Sequence, residues 1–288
     1  MLSRLVALII LLTTTSISGA ETSVRVLGPH STEDVSQDYF FRLLKAAVKI
    51  GSSTHMNINA IDASNLTQAR TLSFLENDYI DVLWMGTSIE RENQFYAVKI
   101  PLMKGLLGYR VSIIKKQDLS SFVVLPIKDF KQKIACQGAH WPDTRILEHN
   151  QYRVNPIVHY NVMFEMVSKN RCDYFPRAIF EGYGELEIAQ KKFDNLAMLD
   201  DILLYYPYPI YFFVNKENVA LGQIIESGLE QMIDNGEFDT LMNNHEVTRH
   251  AFPLKKWESK RIFHLENPFL SATTDVENPR YWVLPLKK

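Results

Sequence analysis

YIDVLWMGTSIERE, residues 79 to 92, runs from a nearly all-apolar stretch through Gly86 straight into a serine followed by charged residues. A strand this apolar suits a sheet covered on both faces. Ser88 stands where a helix N-cap belongs, and the acidic residues after it suit the positive end of the helix dipole. The stretch therefore predicts a helix opening at the carboxyl end of a strand. In open α/β sheets that is where backbone N–H groups are free and where ligands sit.

Working outward, strand and helix signals alternate. SVRVLG (23 to 28) and MNINAI (56 to 61) read as strands. Between them Phe40, Leu43, Leu44, Ala47 and Val48 recur at helical spacing, and Leu66, Ala69, Leu72 and Leu75 repeat the pattern after the second strand. GLLGYRVSIIKK (105 to 116) reads as a long strand, beyond which the alternation starts again. KIACQG is the next strand, with a helix opening at WPDTRIL. RVNPIVHY is extended, and Val162, Met163, Met166 and Val167 mark a helix face. RCDYFPR (171 to 177) is a further strand that Pro176 is expected to end. PYPIYFFVNKEN (207 to 218) reads as a second long connecting strand. It is followed by a helix bearing Leu221, Ile224, Ile225, Leu229, Met232 and Ile233, and by a shorter one in GEFDTLMNNHE. This is a β/α layered class.

At 288 residues, with 46% hydrophobic and 22% charged, the chain has material for two globular cores. Residues 1 to 20 carry one basic residue, Arg4, an apolar run from Leu5 to Leu12, and small residues at Ser18 and Ala20. That is the pattern of a cleavable export signal, and the run is too short for a span of about 20 residues. The expected mature protein starts near Glu21 in the periplasm, with no cysteine there for lipid attachment. It carries 30 basic against 33 acidic residues, a formal charge of −3. Nucleic acid is a poor partner for that surface. Cys136 and Cys172 are the only thiols. An oxidising compartment invites a disulfide, but a register offset between strands easily defeats the geometry, so two buried free thiols are the expectation. No His or Cys stands at metal-ligand spacing, and no cofactor motif is present.

The order of these segments resembles the periplasmic solute-binding proteins of the amino-acid-binding type, the receptors of ABC importers. The likeness runs from about Val24 to Glu246 and rests on YIDVLWMGTSIERE, GLLGYRVSIIKK, KIACQGAHWPDTRIL, NRCDYFPR and NVALGQIIESGLEQMIDNGEFDTLMNNHE. It implies a two-lobed α/β fold of type II with a hinge of two connecting strands. Lobe 1 would comprise residues 21–110 and 213–250, and lobe 2 residues 111–212. Residues 251–288, rich in aromatics and proline, would form an extension packed on a lobe.

The resemblance also implies a ligand held between the lobes. Arg91 matches the arginine that grips a ligand carboxylate in such proteins, with Gly86, Thr87 and Ser88 supplying turn groups. The alternative for Arg91 is a surface position on a capped helix. In the second lobe Gly138 is followed by Ala139 where the family has a small hydroxyl residue. His140, Trp141, Asp143 and Thr144 are candidates there, although Pro142 and the cap explain part of that motif structurally. Tyr39 either stacks on the solute or packs in the core. Asp173 is expected to bond nearby backbone groups.

Where related receptors place an acid for a ligand ammonium, this chain has Arg177. A guanidinium there suggests that Arg91 and Arg177 clamp a small carboxylate-bearing solute, an amino acid or an organic anion. Glu181 or Asp143 keeps an ammonium ligand open. The expected role is substrate capture by a monomer working with a membrane permease, without cofactor or catalysis. The alternatives are a sensory ligand-binding protein, or a lyase of the same fold using His140, Asp143 and Glu181.

Overall fold

A computed structural model describes residues 22–29, 36–62 and 66–283; the expected export signal lies outside the described residues. In chain order the elements are β1 (Thr22–Leu27), α1 (Gln37–Gly51), β2 (Met56–Ile61), α2 (Gln68–Glu76), β3 (Leu83–Gly86), α3 (Ile89–Gln94) and β4 (Tyr96–Val98). Then come β5 (Tyr109–Lys115), α4 (Leu119–Val123), α5 (Ile127–Phe130), β6 (Ile134–Gly138), α6 (Pro142–His149), β7 (Arg153–Ile157), α7 (Met163–Ser168), β8 (Tyr174–Ala178), α8 (Gly182–Ala189) and β9 (Leu196–Tyr205). The chain ends with β10 (Ile210–Val214), α9 (Val219–Asp234), α10 (Glu237–Asn244) and β11 (Arg261–His264).

These strands sort into two lobes. In the first, β1 pairs parallel with β2, while β10 lies antiparallel between β3 and β4. The two ladders meet where Arg25 O accepts from the N–H of Asp81 at 2.8 Å and the Asp81 carboxylate takes a two-pronged contact from the Arg25 guanidinium. α1 turns Phe40, Leu43, Leu44, Ala47 and Val48 inward, the face its 3.6-residue period predicts. The second lobe is a six-stranded sheet in the order β11-β9-β5-β8-β6-β7. β5 is buried along its whole length between β8 and β9, antiparallel to both.

Segments 99–108 and 206–209 join the two lobes. They run against each other, with Tyr206 N donating to Gly108 O and Leu102 N donating to Ile210 O. A Cβ at Gly108 would stand 2.1 Å from Tyr206 O, so this crossing requires glycine.

Three expectations need correction. Cys136 and Cys172 are joined by a disulfide, their Cα atoms 5.5 Å apart. The register that was expected to keep them apart is set by Asp173. Its amide donates to Ile134 O, and its carboxylate accepts from Ile134 N at 2.7 Å, clamping the entry of β8 alongside β6. Pro176 does not end its strand: β8 continues to Ala178, with Pro176 opposite Ser112. β6 touches β8 at the Ala135–Tyr174 pair, so beyond it no ladder donor is required on that side.

The segment after Arg249 is the third correction, because it is not confined to one lobe. Trp257 is buried and β11 lies parallel to β9 in the second lobe. The chain then crosses the hinge, where Asn267 Nδ2 donates to Pro207 O and Phe269 O accepts from Ile89 N at 2.9 Å. The last described residues lie on the first lobe, with Arg280 and Tyr281 on Glu230 of α9 and Val283 N donating to Lys104 O.

Candidate functional site

Between the lobes lies a cavity of about 230 Å³. Phe40, Thr71, Trp84 and Gly86 face it from the first lobe, and His140, Trp141, Asp143, Tyr160, Arg177, Glu181 and Glu185 from the second. The crossing segments contribute Leu107 and Tyr208, and the start of β5 contributes Arg110. At Gly86 a Cβ would meet the Tyr208 hydroxyl at 2.1 Å. The glycine that ends β3 thus lets a hinge aromatic reach the cavity.

Two buried ionic networks form the charged wall. Arg110 is paired with Asp143 and donates from Nε to the Tyr206 hydroxyl at 3.1 Å, while that hydroxyl donates to Asp143 Oδ1 at 2.5 Å. The rings of Tyr206 and Tyr208 lie 5.6 and 5.7 Å from the guanidinium. Burial pushes both phenols well above their ordinary pKa. They act here as neutral donors.

Arg177 donates from Nε to Glu185 Oε2 at 2.5 Å and from Nη2 to Glu185 Oε1 at 2.7 Å, and Glu181 Oε1 lies 2.9 Å from Nη2. Glu181 also stands 3.6 Å from Arg110, which links the two networks. Glu181 stands at the N-cap position of α8 and Glu185 lies one turn on, so helical spacing presents both carboxylates to the same strand. Burial pushes Glu185 up to about 7 against the opposing pull of Arg177, and Glu181 adds to the rise. Burial alone would lower Arg177, but the two glutamates more than offset it and its pKa moves well up.

The proposed pair of anion-gripping arginines is not what the cavity contains. Arg91 is not among the lining residues. It is buried under the α3 cap, donating from Nη1 to Gly86 O at 2.5 Å and from Nη2 to His140 O at 3.1 Å. The second bond ties the lobes together, beside the pair Arg145–Glu90 at 2.8 Å. Arg177 does line the cavity, but with two carboxylates in contact it is not an open anion receptor. The lining holds three carboxylates against two guanidiniums.

Four other candidates have structural partners and stand outside the lining. Ser88 caps α3 by accepting from Arg91 N, and the Thr87 hydroxyl donates to Glu92. The Thr144 hydroxyl donates to Gly138 O at 2.7 Å. Tyr39 is a core residue, fully buried with its hydroxyl on Leu102 O, because its helix position points inward. Gly86, His140, Trp141, Asp143 and Arg177 do meet at the cavity. Sequence reasoning missed Arg110, Glu185 and Tyr208. A charged residue in the otherwise apolar strand GYRVSII was the available signal for Arg110. Among the described residues no cluster of three or more His, Cys, Asp or Glu side chains is placed to hold a metal ion.

No family model and no curated relative matches the sequence. Solved structures do match the fold. An amino acid ABC transporter substrate-binding protein from Streptococcus pneumoniae bound to L-arginine has a TM-score of 0.57 at 13% identity, covering 80% of this chain and 95% of that one. A Salmonella typhimurium periplasmic binding protein with high arginine specificity gives 0.56 at 16%, covering 77% and 97%. An ancestral amino-acid-binding protein described as a precursor of cyclohexadienyl dehydratase gives 0.54 at 14%, covering 76% and 92%. At such identities the likeness is one of architecture: the chain has the two-lobed type II periplasmic-binding-protein fold.

Proposed function

We propose that this chain is a periplasmic solute-binding protein that closes its lobes on a small amino-acid-like solute and presents it to a membrane permease. The observation that carries the reading is the interlobe cavity itself. Both lobes and the hinge line it, the first lobe with Phe40, Thr71 and Trp84 and the second with the buried charged groups, so a solute touching both would stabilise the closed arrangement. Its volume of about 230 Å³ lies below the ~300–1,000 Å³ of sites for drug-sized ligands. Arg110 and Arg177 are both already held by carboxylates, which favours a solute that brings its own ammonium group over a purely anionic one. The protein would act as a monomer, exported by the signal in residues 1–20, without cofactor or turnover.

A thermal-shift screen over amino acids, dicarboxylates and aromatic acids tests this, because binding to the native state raises the melting point. At least one amino acid is expected to stabilise the protein and to shrink it in small-angle scattering. Stabilisation by dicarboxylates alone would overturn the ammonium preference, and no stabilisation by any solute would overturn the role.

A lyase is the second reading. His140, Asp143, Glu181 and Glu185 line one cavity, and a carboxyl held at about 7 suits general acid–base work at neutral pH. Incubating the protein with whatever it binds and analysing for product separates the two.

A further inference from the structure

Arg177 is surrounded in the way a protein surrounds a bound cation. Its guanidinium lies 5.2 Å from the Trp141 ring, 5.5 Å from Tyr160 and 5.0 Å from Phe175. Glu185 takes two parallel N–H donors from it, and Glu181 closes the remaining side. Aromatic faces plus a bidentate carboxylate are the elements that recognise a free guanidinium or ammonium. Here the cation is supplied by the chain, on a strand residue that itself lines the cavity.

We propose that Arg177 occupies the cation subsite of the cleft as a built-in guanidinium and so determines specificity, excluding solutes with a cationic side chain and admitting those with an uncharged one. The exclusion works by occupancy. Glu181 and Glu185 would welcome a second cation on charge grounds, but their donor-facing oxygens and the ring faces are already engaged. Truncating Arg177 at Cβ leaves an acid-lined, aromatic-walled hole open to the cavity. This rests on the solute-binding reading for its biological meaning, whereas the subsite can be probed without any natural solute.

The experiment compares the full mature wild type with Arg177→Ala, using methylguanidinium chloride, L-arginine and its uncharged isostere L-citrulline in thermal-shift and calorimetric titrations. Wild type is expected to ignore millimolar methylguanidinium and to prefer L-citrulline to L-arginine. Arg177→Ala is expected to melt lower, to regain stability with methylguanidinium, and to reverse the preference by at least about tenfold. A folded variant indifferent to methylguanidinium, or a wild type that binds it equally well, overturns the proposal. If Arg177→Ala does not fold alone, folding rescued by methylguanidinium supports the proposal, and failure in its presence counts against it. Should no amino acid bind wild type, the transport reading falls while the methylguanidinium result on the variant still stands.

Discussion

Glu185 is a carboxylate buried beside its own counter-ion, and burial prevails: its pKa rises from 4.5 to about 7. The folded protein therefore holds a proton that the unfolded chain releases between those values. The contribution of this group to stability is fully present below about 4.5 and is lost as pH rises through about 7. Glu185→Gln removes that dependence. The stability of wild type relative to the variant is expected to fall over this window by no more than about 3 kcal/mol. Denaturant unfolding at a series of pH values reads it, and parallel profiles would place the titration elsewhere.

Single residues were only partly legible in the sequence. RCDYFPR drew attention to Arg177, yet its partner Glu185 lies a turn into the next helix, and nothing local announces that an ion pair will form across that gap. Arg91 stood in the right motif, but the fold turns its side chain toward Gly86 O and His140 O. Motif position fixes where a backbone goes better than where a long flexible side chain ends.

At the scale of elements, the helices with strong apolar periodicity and the buried strands were readable because their patterns reflect local geometry. β9 was not. Asp200 and Asp201 interrupt its apolar run, and their reasons for being there are remote: Asp200 is bonded to Tyr183 and Lys260, and Lys260 also reaches Asp201. The disulfide was misread for the same reason, since strand register is set by the Asp173 clamp. It closes a sequence separation of 36 residues, for which chain entropy gives about 4 kcal/mol. The double variant Cys136→Ala/Cys172→Ala is expected to lose up to that much by equilibrium unfolding, with an unchanged far-ultraviolet spectrum. A loss near zero would mean that the Asp173 clamp alone holds β6 to β8.

For the whole molecule, the two-lobed plan followed from the restart of the β/α alternation, but the path of the final segment could not. Its contacts with Pro207, Ile89, Glu230 and Lys104 are set by tertiary proximity, and no periodicity encodes them. Removing residues 267–288 leaves β11 in place and releases those contacts. The truncated, unliganded protein is expected to show a larger radius of gyration in solution scattering and weaker solute affinity. An unchanged radius and affinity would make the segment a passive surface.

The same segment bears on how capture would be driven in the proposed solute-binding role. Lobes joined only by a pair of strands swing through many relative orientations when empty, and closing on a solute forfeits that freedom. Here a third strand of chain spans the gap and anchors on α9, so in the proposed role the empty protein would have fewer orientations to give up. Preorganisation of this kind lets a small set of contacts hold a solute more tightly, and it would leave the proposed membrane partner a smaller change of shape by which to tell loaded from empty.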